Sequence, residues 1–431
     1  MKLLQRLFHL QEHATTPRVE SMAGLTTFLT MAYITVVNPS ILSSAGMDFG
    51  AVFVATCIAA AFGSIVMGLY ANYPIAQAPG MAQNSFFAFG VVLGMGHAWQ
   101  TALGAVFISG VIFVVLSVLP VREWLINAIP RNLKLGMAAG IGLFLGFIAL
   151  KNAGIVVDHE ATLVSLGKLV SFEPMVCIGA FVIIAALSAR KVRGAVIIGI
   201  LVATAVGWLF GNNEFHGIIA MPPSPAPVLL QLDIVAALQW SMVTVILSML
   251  IVDVFDTAGT LVGVAHRAKL TDANGKLPRL GKALLSDSSA TVVGAFAGTS
   301  STTSYIESAA GVEAGGRTGL TAVVCGLLFL GCLFFAPLAQ SVPAYATAAA
   351  LLFVACLMAR SLADIDWDDI TESAPAVIAA LAMPLSFSVA EGIGLGFISY
   401  ILIKLVSGKA RDCSAAAYVI AVIFALKYIF L

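Results

Sequence analysis

The chain has 431 residues, of which 60% are hydrophobic and only 10% are charged, with a mean hydropathy of +1.01. Its 22 Lys and Arg balance its 22 Asp and Glu, so nothing points to a nucleic-acid partner. Such a composition excludes an ordinary soluble domain and identifies an all-α polytopic membrane protein sitting in a lipid bilayer, since a helix satisfies its own backbone there.

The first 21 residues contain no long apolar run before a small-residue cleavage site, so no signal peptide is expected. Leu3, Leu4, Leu7 and Leu10 recur at helical spacing, which predicts a short amphipathic helix on the cytoplasmic surface over 1–21. Apolar stretches follow at about 22–42, 50–70, 75–95, 98–119, 132–152, 172–188 and 194–210. After a Pro-rich polar connection, 211–233, a second series covers about 234–264, 283–298, 302–315, 318–338, 343–359, 373–386 and 389–406. A helix rises 1.5 Å per residue, so most of these runs suffice to span the hydrocarbon.

Seven plus seven gives 14 transmembrane segments. An odd number in each half forces the halves into opposite orientations, so 22–210 and 234–406 read as two inverted repeats. Weak internal similarity agrees: Ile129-Pro130 precedes MAAGIGLFLGFIAL, Val342-Pro343 precedes ATAAALLFVACLMA, and the apolar segments upstream end at Pro120 and Pro337. Arg122, Arg131, Lys134, Arg190, Lys191, Arg193, Arg267, Lys269, Lys276, Arg279 and Lys282 all follow even-numbered segments, whereas 211–233 has no Lys or Arg. The positive-inside rule then makes the N-terminus cytoplasmic. The apolar stretch within 407–431 is either a fifteenth span or an interfacial helix. The six cysteines are scattered, mostly in apolar runs and without a C-x-x-C pair, as packing residues would be.

Segments 3 and 10 are unlike ordinary spans. In YPIAQAPGMAQNSFFAFG, Pro74, Pro79 and Gly80 forbid a continuous helix;. GTSSTTSY, from Gly298, is polar and β-branched and suits an extended strand;. Short strands therefore break both segments before each turns helical. Broken segments at matching places of two repeats are the best sequence pointer to a transporter's binding site.

Intramembrane carboxylates strengthen that pointer, because each costs roughly 2.5 kcal/mol or more at the bilayer centre. Asp253, Asp256 and Thr260 fall at i, i+3 and i+7, on one face of segment 8;. Each Asp either serves a site or pairs inside the bundle. Glu307, at the strand-to-helix junction of segment 10, either holds a ligand edge beside free N–H groups or caps its helix. Asn84 occupies the matching place in segment 3, with the same two options. Phe86, Phe87, Phe89 and Tyr305 are either packing residues or stacking faces for a planar ligand. Asp287, Glu313, Arg317 and Glu391 read as helix-end or cytoplasmic-side polar residues.

At these same stretches the sequence resembles the AzgA-like purine permeases of the nucleobase/cation symporter-2, or nucleobase-ascorbate transporter, superfamily. The motifs are APGMAQNSFFAFG (78–90), DVFDTAGTLVGV (253–264), GTSSTTSYIESAAGVEAGGRTGLTAVV (298–324) and FSVAEGIGLGFISY (387–400). The resemblance implies a core domain of segments 1–4 and 8–11 and a gate domain of segments 5–7 and 12–14, with a purine nucleobase bound between them. It also implies proton symport and a homodimer. Asp256 and Glu307 match the family's carboxylates of segments 8 and 10, Asn84 matches its polar residue of segment 3, and Asp253 resembles the carboxylate one turn earlier. Thr260 stands where uracil-transporting relatives carry histidine, which leaves Asp253, Asp256 and Glu307 as the proton carriers.

The chemistry agrees, because a purine edge alternates N–H donors with N or O acceptors that carboxylate, amide and strand groups can read. No nucleotide-binding loop, metal cluster or nucleophile–base pair is visible, so neither catalysis nor a cofactor is expected. The expectation is a multi-pass, inner-membrane, proton-coupled importer of hypoxanthine, guanine or adenine. Its rivals are an anion transporter of the same architecture and a channel or membrane sensor.

Overall fold

The computed structural model describes residues 2–119, 130–211, 213–268, 270 and 277–430. Arg122, Lys269 and Lys276 of the orientation argument, and Pro120 and Ile129 of the repeat argument, lie outside them. After α1 (Lys2–Phe8), the first apolar stretch forms α2 (Pro17–Met31) and α3 (Ile34–Ser43). Pro17 opens α2 where a missing N–H costs nothing, and the Thr16 hydroxyl caps it by accepting from the Val19 amide;. α4 (Phe49–Val66) starts at Asp48, which accepts from the Ala51 amide at 2.7 Å. It continues as a π-helical turn, Met67–Ala71, and stops at Asn72, whose φ is +51°. Asn tolerates this left-handed conformation. Its side chain accepts from the Gly319 amide at 2.7 Å and donates to the Phe8 carbonyl at 3.2 Å. Phe8 and Leu10 bury against Leu320, so the N-terminal segment docks on the bundle by its apolar end.

The third stretch is β1 (Gln77–Pro79), α5 (Met81–Ser85) and a π-helical continuation, Phe86–Gly94. α6 (Trp99–Val118), α7 (Arg131–Asn152), a hairpin of β2 (Val156–His159) and β3 (Leu163–Leu166), α8 (Phe172–Ala189) and α9 (Ala195–Phe210) complete the first half. The hairpin is not foreshadowed in the apolar pattern. The second half runs through α10 (Ile234–Ala237), α11 (Val243–Arg267), α12 (Leu280–Ala297), β4 (Thr302–Ser304), α13 (Ser308–Glu313), α14 (Gly319–Cys332) and α15 (Ala336–Gln340). It ends with α16 (Ala344–Ala359), α17 (Ile370–Ser386), α18 (Val389–Val406) and α19 (Ala415–Phe430). Among the described residues, nine helical stretches are long and apolar enough to cross a membrane, and four apolar helices are shorter. α12 and the β4–α13 stretch, both rich in Ser and Thr, fall in neither set.

Side-by-side packing sorts the helices into two groups. α2, α4, α6, α12, α13 and α14 pack on one another, while α7 lies between α16 and α17, and α17 lies on α18. Small residues permit the second set of contacts. A Cβ on Gly136 would come 2.3 Å from the Ala376 carbonyl oxygen, and one on Gly142 would come 2.6 Å from Met358 Cβ, as expected where small residues let membrane helices approach closely.

The C-terminal stretch is a helix along α18. The Lys427 ammonium pairs with Glu391 in the first turn of α18, and Phe424 packs where a Cβ on Gly394 would be. Because α19 begins just after α18 ends, these contacts run it antiparallel beside its neighbour; a surface helix perpendicular to the bundle would not make them.

Candidate functional site

The two broken segments meet. β1 and β4 pair antiparallel, with Gln77 opposite Ser304, Ala78 opposite Thr303 and Pro79 opposite Thr302. The ladder extends through Gly80 N–H to the Ser301 carbonyl at 2.9 Å and Tyr305 N–H to the Ala76 carbonyl at 3.0 Å. Strand backbone inside an apolar bundle thus satisfies itself.

Behind the strands lies a buried polar web that the sequence reading missed. Asp287, read as a helix-end residue, is instead fully buried in α12 at the centre of this web. It accepts from Thr257 Oγ1 at 2.6 Å, Ser304 Oγ at 2.8 Å and Gln77 Nε2 at 3.0 Å. A signal was present: Asp287 lies eight residues into an apolar stretch that begins at Leu280, and the rule that singled out Asp253 applies to it equally.

Asp253 and Asp256, three residues apart on α11, have different surroundings. Asp253 is 1% exposed and faces the web, accepting from Thr291 Oγ1 at 3.1 Å with Gln83 Nε2 at 3.5 Å. Asp256 lies accessible on the same helix, within electrostatic reach of Gln83 and of Glu307. Gly259 beyond it faces open space. Thr260 is buried at 7% exposure on the same helix.

Accessibility along this face changes sharply. Val245, Met249 and Val252 are 0%, 1% and 6% exposed, whereas Asp256 and Gly259, farther along at the same helical phase, are exposed and Gly263 is half-buried;. Among the described residues the face is buried from Val245 to Val252 and accessible at Asp256 and Gly259.

Glu307, half-buried at the start of α13, lies within electrostatic reach of Asp256. Its side chain makes no capping hydrogen bond; Oε1 instead accepts from the Tyr33 hydroxyl at 2.6 Å. Of the N–H groups beside it, those of Ser308, Ala309 and Ala310 donate to the carbonyls of Tyr305, Ile306 and Glu307. Asn84, fully buried, accepts from the Ser300 hydroxyl through Oδ1, while Nδ2 has no hydrogen-bond partner among the described residues. The Tyr305 hydroxyl donates to the Pro79 carbonyl at 2.6 Å, latching β4 to β1. Phe87 is fully buried in the apolar core with Phe86. Phe89 meets Phe387 edge to face, and Phe387 also meets Phe144 and Phe147.

Among the described residues none of the carboxylates Asp253, Asp256, Asp287 and Glu307 is in an ion pair, and no group of His, Cys, Asp and Glu could hold a metal ion. The site therefore offers carboxylate, amide and hydroxyl groups on a rigid frame, with the Lys134 ammonium over the Phe255 ring beside it.

A model of the Permease family (Xan_ur_permease) matches residues 18–395. The chain belongs to that family. It falls within the nucleobase-ascorbate transporter superfamily, whose members are integral membrane transporters and not enzymes. It is 50% identical over 429 residues to the adenine permease AdeP of Escherichia coli (strain K12), covering 100% of this chain and 96% of that one. It is 46% identical over 440 residues to the guanine/hypoxanthine permease PbuG of Bacillus subtilis (strain 168), covering 99% and 100%. In structure it resembles the transmembrane domain of the cyanobacterial bicarbonate transporter BicA, with a TM-score of 0.68 at 17% identity over 87% of this chain and 97% of that one. At that identity the likeness speaks for the fold alone.

Proposed function

We propose that this permease is a proton-coupled symporter that imports purine nucleobases across the cytoplasmic membrane. The observation that carries the reading is the placement of Asp256 and Glu307, an accessible and a half-buried carboxylate without an ion pair among the described residues, within electrostatic reach of each other in an apolar bundle. A purine offers N–H donors that carboxylates accept in the ring plane. An anion there would meet two carboxylates, which disfavours the bicarbonate-type reading. Adenine and guanine/hypoxanthine permeases at 50% and 46% identity support the same substrate class.

The two packing groups supply the moving parts: α2–α6 and α11–α14 are the core, and α7–α9 with α16–α18 are the gate. The open face of α11 makes this conformation inward-facing, and the aromatic contacts of Phe387 with Phe89, Phe144 and Phe147 close the outer end. Asp253 and Asp256 form the proton relay, with Gln83 bridging them. The functional unit is a homodimer, as the family resemblance implies, and α19 adds a fifteenth span.

Binding tests the substrate class directly. Purified protein should show a saturable interaction with adenine, hypoxanthine or guanine in calorimetry, and Glu307→Gln should abolish or sharply weaken it. Wild-type affinity in Glu307→Gln would remove Glu307 from the site, and binding of bicarbonate with none of any purine would replace the reading.

A further inference from the structure

We propose that Tyr33 is a positioning residue: it fixes which oxygen of Glu307 faces the base, and thereby sets what the site selects. The inference rests on the reading of Glu307 as a purine-contacting group. It comes from how Glu307 is held. Glu307 precedes α13 without capping it through its side chain. Its carboxylate is held by a different segment, through Tyr33 Oη at 2.6 Å, from a residue 274 positions away.

Tyr33 is built to hold this contact. It lies between the end of α2 at Met31 and the start of α3 at Ile34, and only 1% of it is exposed. The local backbone is tied by Thr35 N–H to the Ala32 carbonyl and Val37 N–H to the Tyr33 carbonyl, so the ring has a fixed root. One turn earlier, the Thr30 hydroxyl lies 3.5 Å from the Glu307 carbonyl oxygen. The same helix face thus approaches both the backbone and the side chain of Glu307. The other tyrosine nearby, Tyr305, is committed to the Pro79 carbonyl.

The consequence is chemical. A phenol that donates to Oε1 leaves Oε2 as the carboxylate's free acceptor, so on the proposed reading the site selects a base edge that presents an N–H to it;. A carboxylate freed from Tyr33 can turn and accept from more than one edge. Removing the phenol oxygen should therefore cost affinity and flatten discrimination between purines, without altering the frame of the protein.

The test is a double-mutant cycle on Tyr33→Phe and Glu307→Gln, read as calorimetric Kd for adenine and for hypoxanthine, together with the melting temperature of the base-free protein. The expected result is that Tyr33→Phe weakens the preferred base about tenfold, the worth of one hydrogen bond to a charged group. The adenine-to-hypoxanthine Kd ratio should move toward one, and the melting temperature should stay near that of wild type. In the Glu307→Gln background the further effect of Tyr33→Phe should fall below about threefold; where that background binds too weakly to measure, the Kd ratio of Tyr33→Phe alone decides. An unchanged ratio and affinity in Tyr33→Phe, or an equal loss in both backgrounds, overturns the role of Tyr33 and leaves Glu307 in place. Wild-type binding by Glu307→Gln itself removes the reading on which the proposal rests, and is told apart because it needs only that single variant.

Discussion

Thr257 donates its hydroxyl to Asp287 at 2.6 Å, which ties the residue next to Asp256 to the middle of α12. Through Ser304 and Gln77 the same carboxylate also holds β4 and β1. One buried acceptor thereby fixes the relative positions of α11, α12 and both strands: α11 carries Asp253 and Asp256, and β4 leads into Glu307.

Replacing that acceptor should loosen the frame. Asp287→Asn turns an amide toward three hydrogen-bond donors, and hydrogen bonds to a charged group contribute about 1.5–3 kcal/mol each. We expect a lower melting temperature in detergent and loss of base binding, with a milder loss in Thr257→Val, which removes one of the three bonds. An Asp287→Asn protein that melts and binds like wild type would show that the web is not what orders the site.

The accessibility step along α11 predicts a labelling pattern. Gly259→Cys, in open space, should react with a membrane-impermeant thiol reagent in inside-out vesicles and be protected by purine. Met249→Cys, on the sealed part of the same face at 1% exposure, should stay unreactive from either side until transport is under way. Equal reactivity of the two positions from the periplasmic side would contradict an inward-facing conformation.

How much of this was legible in the chain varies with the range of the interaction. Both strands follow from local chemistry: Pro74, Pro79 and Gly80 deny a helix, and Thr302, Thr303 and Ser304 favour extended backbone;. The site carboxylates stand out because apolar surroundings make charge conspicuous. What each carboxylate faces was not legible. Asp253 and Asp256 share a helix face, yet Asp253 points into the web and Asp256 is accessible, a difference set by Thr291 from another segment. Asp287 was obscured by the serines around it and by nearby Lys282, which gave it the look of a helix end. Tyr33 sits in an ordinary apolar run, and only the fold brings it to Glu307. The last helix has a length that fits either a span or a surface segment; the Lys427–Glu391 pair holds it along α18.

The second packing group contains its own buried ion pair, Lys404 with Glu372 at 2.7 Å, with the lysine side chain 3% exposed. Removing one partner of such a pair leaves a buried charge uncompensated and costs about 3–5 kcal/mol, whereas replacing both with apolar residues is often neutral. Lys404→Met should therefore lower the melting temperature substantially, and Lys404→Met combined with Glu372→Leu should recover most of the loss. A double variant no more stable than the single one would mean that the pair serves something other than the stability of this group.

The central claim is gradient-driven purine transport, and uptake into proteoliposomes tests it most directly. Purified protein reconstituted with an imposed inward proton gradient should accumulate labelled adenine or hypoxanthine above the outside concentration. A protonophore should collapse the accumulation, and unlabelled purine should compete where uracil and bicarbonate do not. Uptake that only equilibrates and ignores the gradient would contradict the coupling, and a protein that moves bicarbonate but no purine would contradict the account as a whole.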